Sequence, residues 1–359
     1  MNAVAVRRLR RLRAQLKANG ETVFLATDPL TIRYLAGARD AAWALVTTRR
    51  AVVMPSWLGY EAARQNAVRP WKVTRPAANA LQALLTEAGV RRIGFDSGTM
   101  MHAEVGRLRR VLQDVAVLVP LAGLIETCRE VKDVPELDAI RRAGSISRAV
   151  GEQWPWGLRE GMTEAEAAAA VDVRMRALGA EGPAFDTIVL FGARSALPHG
   201  VPGDRRLARG DLVLADFGAR VDGYASDCTR TWCWRHSTAR QRRVYRAVAR
   251  AYAAGLAAVR PGAPAGQADA AARRALGGLR RRFMHGLGHG VGLEVHERPR
   301  LGSGEKTSLR PGMTVTVEPG VYLVHWGGIR LEDTCIVGKR GAESVTGAPA
   351  PDLPVVGPV

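Results

Sequence analysis

Cysteine is scarce in this sequence, with only four residues in a chain of 359, at positions 128, 228, 233 and 335. No two of them form a C-x-x-C pair, and a chain of this length can bury a core without disulfide bonds. This pattern argues against a disulfide-stabilised secreted protein. It predicts a reducing compartment.

Long apolar runs are also absent, since no stretch of eighteen consecutive apolar residues occurs. The basic first twenty residues are not followed by the apolar region of a signal peptide. We therefore expect a cytoplasmic protein with no membrane partner. Leu9, Leu12 and Leu16 recur at helical spacing before Gly20, so this basic segment predicts an amphipathic helix with a solvated arginine face.

Lysine is the third scarce residue, with 5 lysines against 47 arginines and a formal net charge of +18. Such an excess of positive charge is typical of nucleic-acid-binding proteins when it is gathered on one face or in one block. Here the arginines are spread along the chain. Together with abundant Ala, Gly and Val, this spread indicates GC-rich codon usage, and nucleic acid is not the expected partner.

Short apolar runs alternate with helical patterns over the first third of the chain. Strands are predicted in "TVFLAT", "AWALVTT", "AVVMPS", "IGFDSG" and "VAVLVP", and helices near 76–88 and 101–113. This is the pattern of an α/β domain. Asp133 before Pro135 marks the start of a new helix, so we place the domain boundary after residue 130, giving domains 1–130 and 131–359.

The second domain mixes helices with β-ribbons and lacks a regular βαβ rhythm. Helices are predicted in "TEAEAAAAVDVRMRAL", which opens with a capping box of Thr163 and Glu166, in "TARQRRVYRAVARAYAAGLAAV" and in "GQADAAARRALG". The intervening strands predict a curved, largely antiparallel sheet backed by helices. The chain as a whole is therefore expected to be α+β.

Two aspartates flank a predicted hairpin in "LVLADFGARVDGYASDCTRTW". Asp222-Gly223 is a strong turn signal, and a turn there places Asp216 opposite Thr229, with Asp227 as a diagonal neighbour on the same face. Two buried like charges need a cation, and such oxygen ligands suit Mn, Mg or Ca, with Co, Fe or Zn if an imidazole joins. The alternative is that one aspartate faces water at a turn or edge.

Two glutamates lie in apolar strand patterns further along the chain. Glu318 ends the alternating run "MTVTVEPG", and Glu332 lies inside "GIRLEDTCIV". A carboxylate in such a context is normally paired or bound to a metal. Either glutamate could instead form a salt bridge with Arg330 or with another arginine.

Three of the seven histidines lie within "FMHGLGHGVGLEVHE", at His285, His289 and His296. The first two have the spacing of a helical zinc pair, but glycine at every second position makes a helix unfavourable, by about 1 kcal/mol per glycine. An extended or bulged segment, which another backbone or a ligand approaches closely, is the better prediction.

The ordered motifs "LPHG", "LADFGARVDGYASDCTRTW", "FMHGLGHGVGLEVHE", "TVEPGVY" and "GIRLEDT" resemble those of the pita-bread metallopeptidases, most closely the aminopeptidase P and prolidase branch. The segment "ATDPLTIRYLAG" is similar to the creatinase-type N-terminal domain of that branch. The resemblance implies a creatinase-type α/β N-terminal domain followed by a pita-bread catalytic domain.

The resemblance also implies a site for two divalent metal ions per subunit, with Mn expected first and Co or Zn as alternatives. The implied metal ligands are Asp216, Asp227, His289, Glu318 and Glu332, of which Asp227 and Glu332 bridge the two ions. The implied active-site residues that do not bind metal are His199, His285 and His296. Of these, His199 and His296 are candidate donors to the transition-state oxyanion, and Glu318 is a candidate proton shuttle. His285, Arg300 and Arg330 are candidate substrate-binding residues.

The substrate implied by the resemblance is an Xaa-Pro peptide, cleaved by a homodimer. The resemblance also implies a dipeptidase through Arg300, which lies where some prolidases carry an arginine that contacts the terminal carboxylate of the substrate. A guanidinium suits that role, and the contact exists only when proline is the last residue. Aminopeptidase P, acting on longer peptides, is the close alternative. A methionine aminopeptidase has no such N-terminal domain, and creatinase lacks the metal ligands. A hypothesis of another class is an inactive pita-bread domain that serves as an interaction or nucleic-acid-binding module.

Overall fold

The computed structural model describes residues 2–358, and the chain divides into two compact units between Arg129 and Glu130. The boundary predicted from the sequence lies one residue later. Within the described range, no helix combines the length and the apolar character that a bilayer crossing requires.

The first unit is a six-stranded mixed sheet with six helices. Its strands are β1 (Phe24–Ala26), β2 (Trp43–Val46), β3 (Ala51–Met54), β4 (Lys72–Val73), β5 (Arg92–Asp96) and β6 (Val117–Leu121). Its helices are α1 (Ala3–Ala18), α2 (Pro29–Ala36), α3 (Tyr60–Asn66), α4 (Ala80–Glu87), α5 (His102–Leu112) and α6 (Leu124–Arg129). The strand order is β4-β3-β2-β1-β5-β6, in which β1 is antiparallel to β2 and parallel to β5. The predicted α/β character of this unit is confirmed.

Helix α1 shows why the basic N-terminal segment folds. Leu9, Leu12 and Leu16 are buried on one face, and arginines and Lys17 occupy the other faces. The helix ends two residues before Gly20, whose φ of 72° belongs to the left-handed region that glycine adopts without strain. The predicted amphipathic helix is confirmed.

The second unit contains four helices and fourteen strands among the described residues. The helices are α7 (Val134–Gln153), α8 (Glu164–Ala177), α9 (Ala239–Ala258) and α10 (Gly266–Leu276). The strands of its first half are β7 (Gly182–Pro183), β8 (Ile188–Phe191), β9 (Leu212–Phe217), β10 (Ala219–Val221), β11 (Tyr224–Ala225) and β12 (Cys228–Trp234). The remaining strands are β13 (Gly288–Gly290), β14 (Glu297–Leu301), β15 (Thr314–Val317), β16 (Gly320–Leu323), β17 (Gly327–Arg330), β18 (Asp333–Val337), β19 (Ala342–Ser344) and β20 (Val355–Val356).

These strands form sheets in the orders β11-β10-β7, β20-β12-β9-β8, β14-β13-β15-β18-β19 and β16-β17. Every pairing is antiparallel except that of β12 with β20, which confirms the predicted largely antiparallel arrangement. The sequence predicts one sheet, whereas the hydrogen-bonded ladders are separate. At Gly218, between β9 and β10, a Cβ atom would lie 1.9 Å from the carbonyl oxygen of Ser226, so only glycine fits where these two chain segments approach.

Capping boxes fix the starts of α7 and α8 in this unit. Asp133 and Glu136 form one at α7, and Thr163 and Glu166 form the one predicted at α8. In each box the capping side chain accepts a backbone N–H of the first turn, and the glutamate accepts the N–H of the capping residue. Both predicted helix starts are confirmed.

Two apolar cores hold the strands against the helices. Val150 of α7 and Val171 of α8 pack with Val189, Phe217 and Trp232 from β8, β9 and β12. A second core joins α9 and α10 to β15, β16, β17 and β18. Complete burial of a large apolar side chain contributes about 1.5–3 kcal/mol, so both cores fix the strands that carry the polar residues described next.

Candidate metal centre

The hairpin between β9 and β12 is built as the sequence predicts. Asp222 and Gly223 both have positive φ, 48° and 76°, as the two central residues of a tight hairpin turn require. The register places Asp216 directly opposite Thr229. The predicted turn and this pairing are confirmed.

Asp227 precedes β12 by one residue and lies outside the ladder. Its backbone N–H donates to Thr334 Oγ1 at 2.9 Å, and its carbonyl accepts from the same hydroxyl at 2.8 Å. A β18 side chain therefore fixes the backbone of Asp227.

The glycine-rich histidine segment is extended, as predicted. Strand β13 carries His289 between two glycines, and its register with β14 is irregular between His289 and Gly290. A Cβ atom at Gly288 would lie 2.1 Å from the carbonyl oxygen of Thr316, and one at Gly290 would lie 2.2 Å from that of Arg298. Glycine is therefore required on both sides of His289, because neighbouring strands lie directly against the backbone.

The two glutamates lie where strands end. Glu318 directly follows β15, as the sequence indicates. Glu332, predicted inside a strand, lies instead in the two-residue segment between β17 and β18, where the chain passes from the two-stranded to the five-stranded sheet. Its backbone N–H donates to the carbonyl of Thr229 at 3.0 Å, so it stays beside the β9–β12 hairpin.

The ligand atoms of Asp227, His289 and Glu332 all lie within 4.8 Å of one another. His289 Nε2 is 3.6 Å from Asp227 Oδ2 and 3.3 Å from Glu318 Oε1. Asp216 reaches the same cluster through Thr229, which faces it across the hairpin and donates to Glu332 Oε2 at 2.6 Å. The structure thus brings four carboxylates and one imidazole together from distant parts of the sequence.

Two buried carboxylate oxygens of this cluster, Asp216 Oδ1 and Glu332 Oε1, have no hydrogen-bond partner within residues 2–358. Such an atom costs free energy unless a cation or a donor satisfies it. Carboxylate oxygens with one imidazole are also a donor set that divalent metals accept. The residues present therefore fit a metal site.

The pKa values of two acids reflect this crowding. Burial, followed by the charges of Glu332 and Asp216, raises the pKa of Asp227 well above its ordinary value. Burial and the charges of Glu318 and Asp216 raise the pKa of Glu332 to about 8. A bound cation would relieve this repulsion, since an opposite charge favours the ionised carboxylate.

Glu318 and His289 form the opposite case, because they stabilise each other's charge. Burial disfavours the charged form of His289, but the hydrogen bond and charge of Glu318 outweigh it and raise the pKa of His289 to about 9. Burial likewise disfavours ionised Glu318, but His289 lowers the pKa of Glu318 to about 2. Without a cation, the imidazole is a proton-bearing partner of the carboxylates.

Arg330 is buried beside the carboxylates, with a side chain that is 4% exposed. Its Nη2 is 2.5 Å from Asp216 Oδ2, its Nε donates to Thr229 Oγ1 at 2.9 Å, and its Nη1 donates to the hydroxyl of Tyr322 at 2.9 Å. The ion pair of Arg330 is therefore with Asp216, and not with Glu318 or Glu332, the alternative that the sequence left open. Its predicted contact with substrate stays a prediction.

The other histidines surround the cluster. His285 Nε2 is 2.9 Å from the hydroxyl of Tyr322, and its Nδ1 is 3.9 Å from Glu318 Oε2. The ring centroid of His296 is 4.3 Å from that of His289, edge to face. His199 is exposed in the loop after β8. Burial lowers the pKa values of His285 and His296, and the charges of Arg330 and His289, respectively, lower them further.

Comparison with known proteins shows the family to which this chain belongs. The model of metallopeptidase family M24 matches residues 138–339, and the creatinase/prolidase N-terminal domain matches residues 8–131. The chain belongs to metallopeptidase family M24. The predicted resemblance is confirmed, as is the fold class of a creatinase-type N-terminal domain followed by a pita-bread domain.

Individual relatives of this M24 peptidase cover nearly its whole length. It is 35% identical over 330 residues to the Xaa-Pro dipeptidase of Pyrococcus horikoshii, covering 91% of this chain and 92% of that protein. The structure of the Xaa-Pro dipeptidase from Bacillus anthracis is similar with a TM-score of 0.94 and 33% identity, over 98% of this chain and 99% of that one. An X-Pro aminopeptidase from Thermotoga maritima has a TM-score of 0.87 and 28% identity, over 96% of this chain and all (100%) of that one.

Two further residues belong to the M24 site, although no sequence pattern predicts their roles there. Tyr322 links His285 to Arg330, and Thr229 links Arg330 to Glu332. The sequence contains an indication of both residues, because Tyr322 ends the motif "TVEPGVY" and Thr229 is the predicted cross-strand partner of Asp216. Polar groups at buried strand positions need partners, and here those partners are the site residues.

Proposed function

We propose that this M24 peptidase hydrolyses the Xaa-Pro bond of dipeptides with two divalent cations held by its buried carboxylates. The observation that carries the proposal is the cluster of Asp227, His289 and Glu332, whose ligand atoms lie within 4.8 Å. The similarity to proteins named Xaa-Pro dipeptidase over more than 90% of the chain supports the substrate class.

The metal ligands in this proposal are Asp216, Asp227, His289, Glu318 and Glu332, with Asp227 and Glu332 shared between the two cations and Mn as the expected metal. When bound, such cations supply Lewis acidity toward a carbonyl oxygen and a water of lowered pKa. The unpartnered oxygens of Asp216 and Glu332 support this assignment.

The chain's own groups then orient the reactants and move protons. Arg330 and Thr229 hold the carboxylates of Asp216 and Glu332 in one orientation, each by a direct hydrogen bond. Glu318, whose side chain is 15% exposed, is the proposed proton carrier between the attacking water and the leaving amine. His199 and His296, both exposed beside the cluster, are the proposed donors to the negative charge that develops on the scissile carbonyl oxygen.

The proposal also specifies the length of the substrate, which is a dipeptide. Arg300 is exposed and lies opposite His289 in the β13–β14 register. Directly opposed residues of an antiparallel pair project from the same face, so the guanidinium lies on the side of the metal ligand. It is the proposed partner of the substrate's terminal carboxylate, while His285 and Arg330 line the substrate site. The similarity to an X-Pro aminopeptidase keeps cleavage of longer peptides as the second candidate.

The proposal extends to the rest of the protein. The predicted domains 1–130 and 131–359 act as an N-terminal domain and a catalytic domain, and the enzyme is a cytoplasmic homodimer. The complete set of candidate ligands argues against an inactive interaction or nucleic-acid-binding module.

The decisive experiment uses metal-stripped protein reloaded with Mn, Co or Zn. Xaa-Pro dipeptides, Xaa-Pro-Xaa tripeptides and matched Xaa-Ala dipeptides are the substrates. We expect metal-dependent hydrolysis that is fastest on Xaa-Pro dipeptides. Absence of metal-dependent hydrolysis, together with salt-sensitive binding to DNA, would favour the nucleic-acid-binding module instead.

A further inference from the structure

Lys132 forms a buried ion pair outside the metal cluster. It is one of only five lysines in the chain, and its side chain is 1% exposed. Its Nζ is 3.2 Å from Oε2 of Glu297, whose side chain is 6% exposed. The pair joins the residue just ahead of the α7 capping box to the first residue of β14.

The carboxylate of Glu297 lies inside the bend that carries His296, residues 291–296. Its Oε1 accepts the backbone N–H of Glu294 at 3.1 Å. A Cβ atom at Gly292 would lie 2.5 Å from both carboxylate oxygens, so the bend folds tightly around them. His296 directly precedes Glu297, so the residue that this carboxylate anchors is the next one in the chain.

The backbone of the bend is also tied to the hairpin that carries the aspartates. The N–H of Ala225 donates to the carbonyl of Gly292 at 2.7 Å, and Arg220 Nη1 donates to that of Leu293 at 3.0 Å. These bonds hold the first half of the bend. Glu297 holds the second half, next to His296.

The backbone at Lys132 is fixed on the sheet that contains the metal ligand. The N–H of Lys132 donates to the carbonyl of Gly312 at 2.9 Å, and Val131 bridges to Met313, immediately before β15. Strand β15 pairs with β13, which carries His289. The backbone of Lys132 is therefore attached to the same sheet that carries His289.

We propose that Lys132 is a positioning residue, which fixes His296 against His289 by holding the carboxylate of Glu297 inside the bend. The proposal rests on the proposed function, since the contribution of His296 to turnover belongs to it. Desolvation makes a buried ion pair poor evidence for stability, but its fixed geometry suits a positioning role.

A double-mutant cycle tests this proposal on the Mn-loaded enzyme. Lys132→Met keeps a long side chain and removes the charge. We expect kcat to fall about 10–100-fold, because a small displacement of a catalytic group has an effect of this size, with metal content and KM near wild type. In a His296→Ala background, Lys132→Met should lower kcat no further, since coupled residues are not additive. Independent, multiplying losses would overturn the proposal.

The control for the cycle is Arg141→Met. It removes a cation from a bidentate ion pair with Glu343 in the same unit, at 2.8 and 3.0 Å, away from the bend. We expect kcat within about twofold of wild type, because exposed ion pairs contribute little. An equal loss in this variant would mean that any broken ion pair lowers activity, and would overturn the specific role of Lys132.

Hydrogen–deuterium exchange provides a readout that needs no turnover. In Lys132→Met, and in the milder Glu297→Gln, the peptide covering 291–297 should exchange faster, while that of β9 stays unchanged. Unchanged exchange at 291–297 in both variants would overturn the proposal. If wild type hydrolyses no Xaa-Pro substrate, the proposed function fails, and exchange still decides whether Lys132 holds the bend.

Discussion

Arg300 lies directly across the β13–β14 pair from His289, although eleven positions separate them in the sequence. Arg300→Ala should raise KM for Xaa-Pro dipeptides about tenfold or more and leave kcat nearly unchanged, because a contact with the terminal carboxylate is equally strong in the ground and transition states. Steady-state kinetics on dipeptides and Xaa-Pro-Xaa tripeptides measures this, and the gap between the two classes should narrow.

Arg298→Ala is the matched control, because Arg298 is an exposed arginine two positions earlier in the same strand. A general loss of positive charge would affect both variants alike. An unchanged dipeptide KM in Arg300→Ala, or a wild-type preference for tripeptides, would assign the protein to the aminopeptidase alternative.

Asp227→Asn should remove metal and activity together. Asp227 is one of the three residues with clustered ligand atoms, and replacing it removes a negative charge from the proposed bridge. Loss of an outer partner of a metal site already costs about 10–100-fold in affinity, so loss of a direct ligand should exceed that. Metal analysis after dialysis, with turnover of the same sample, is the measurement.

Asp211→Asn controls for the loss of a carboxylate in the same unit, since Asp211 pairs with Arg205 at 2.9 Å at the start of β9. It should retain full metal content. Full metal content and turnover in Asp227→Asn would contradict the assignment.

His296→Ala and His199→Ala should lower kcat without loss of bound metal. Removing one donor to an oxyanion typically lowers kcat about 10²–10³-fold. Metal stoichiometry should stay near wild type, because neither histidine belongs to the proposed ligand set and His296 packs edge to face against the ring of His289. Loss of metal in either variant would show that the histidine is a ligand.

The metal-free protein should lose stability as pH rises from about 6.5 to 9. The pKa of Glu332 is raised to about 8 from an ordinary value of 4.5, and that of His289 to about 9 from 6.5. In this window the folded state holds protons that the unfolded state has released, so the free energy of unfolding falls with pH. Glu318, with a pKa lowered to about 2, changes stability only below about 4.5.

Thermal unfolding in the presence of a chelator checks this, with Glu332→Gln as the comparison. That variant cannot ionise at position 332, so its Tm should depend less steeply on pH. A rising Tm of the metal-free wild type between pH 6.5 and 9 would contradict the prediction.

Local chemistry made much of this site predictable from sequence. The Asp222-Gly223 turn determines the register that sets Asp216 against Thr229, and a turn is encoded by adjacent residues. The ion pair of Arg330 with Asp216 joins residues 114 positions apart, so no local pattern encodes it. The position of Glu332 between two sheets is also not encoded locally. An unbroken apolar pattern does not show where a chain passes from one sheet to another.

The hydroxyl of Thr229 has a defined direction. A guanidinium can only donate, so Arg330 Nε uses a lone pair of Thr229 Oγ1, and the hydroxyl hydrogen points to Glu332 Oε2. Oε2 is thereby committed as an acceptor, and the proton that Glu332 retains below its raised pKa is left to Oε1. That oxygen is one of the two buried carboxylate oxygens of the cluster without a hydrogen-bond partner in residues 2–358, so a proton and the proposed cation would compete for the same atom.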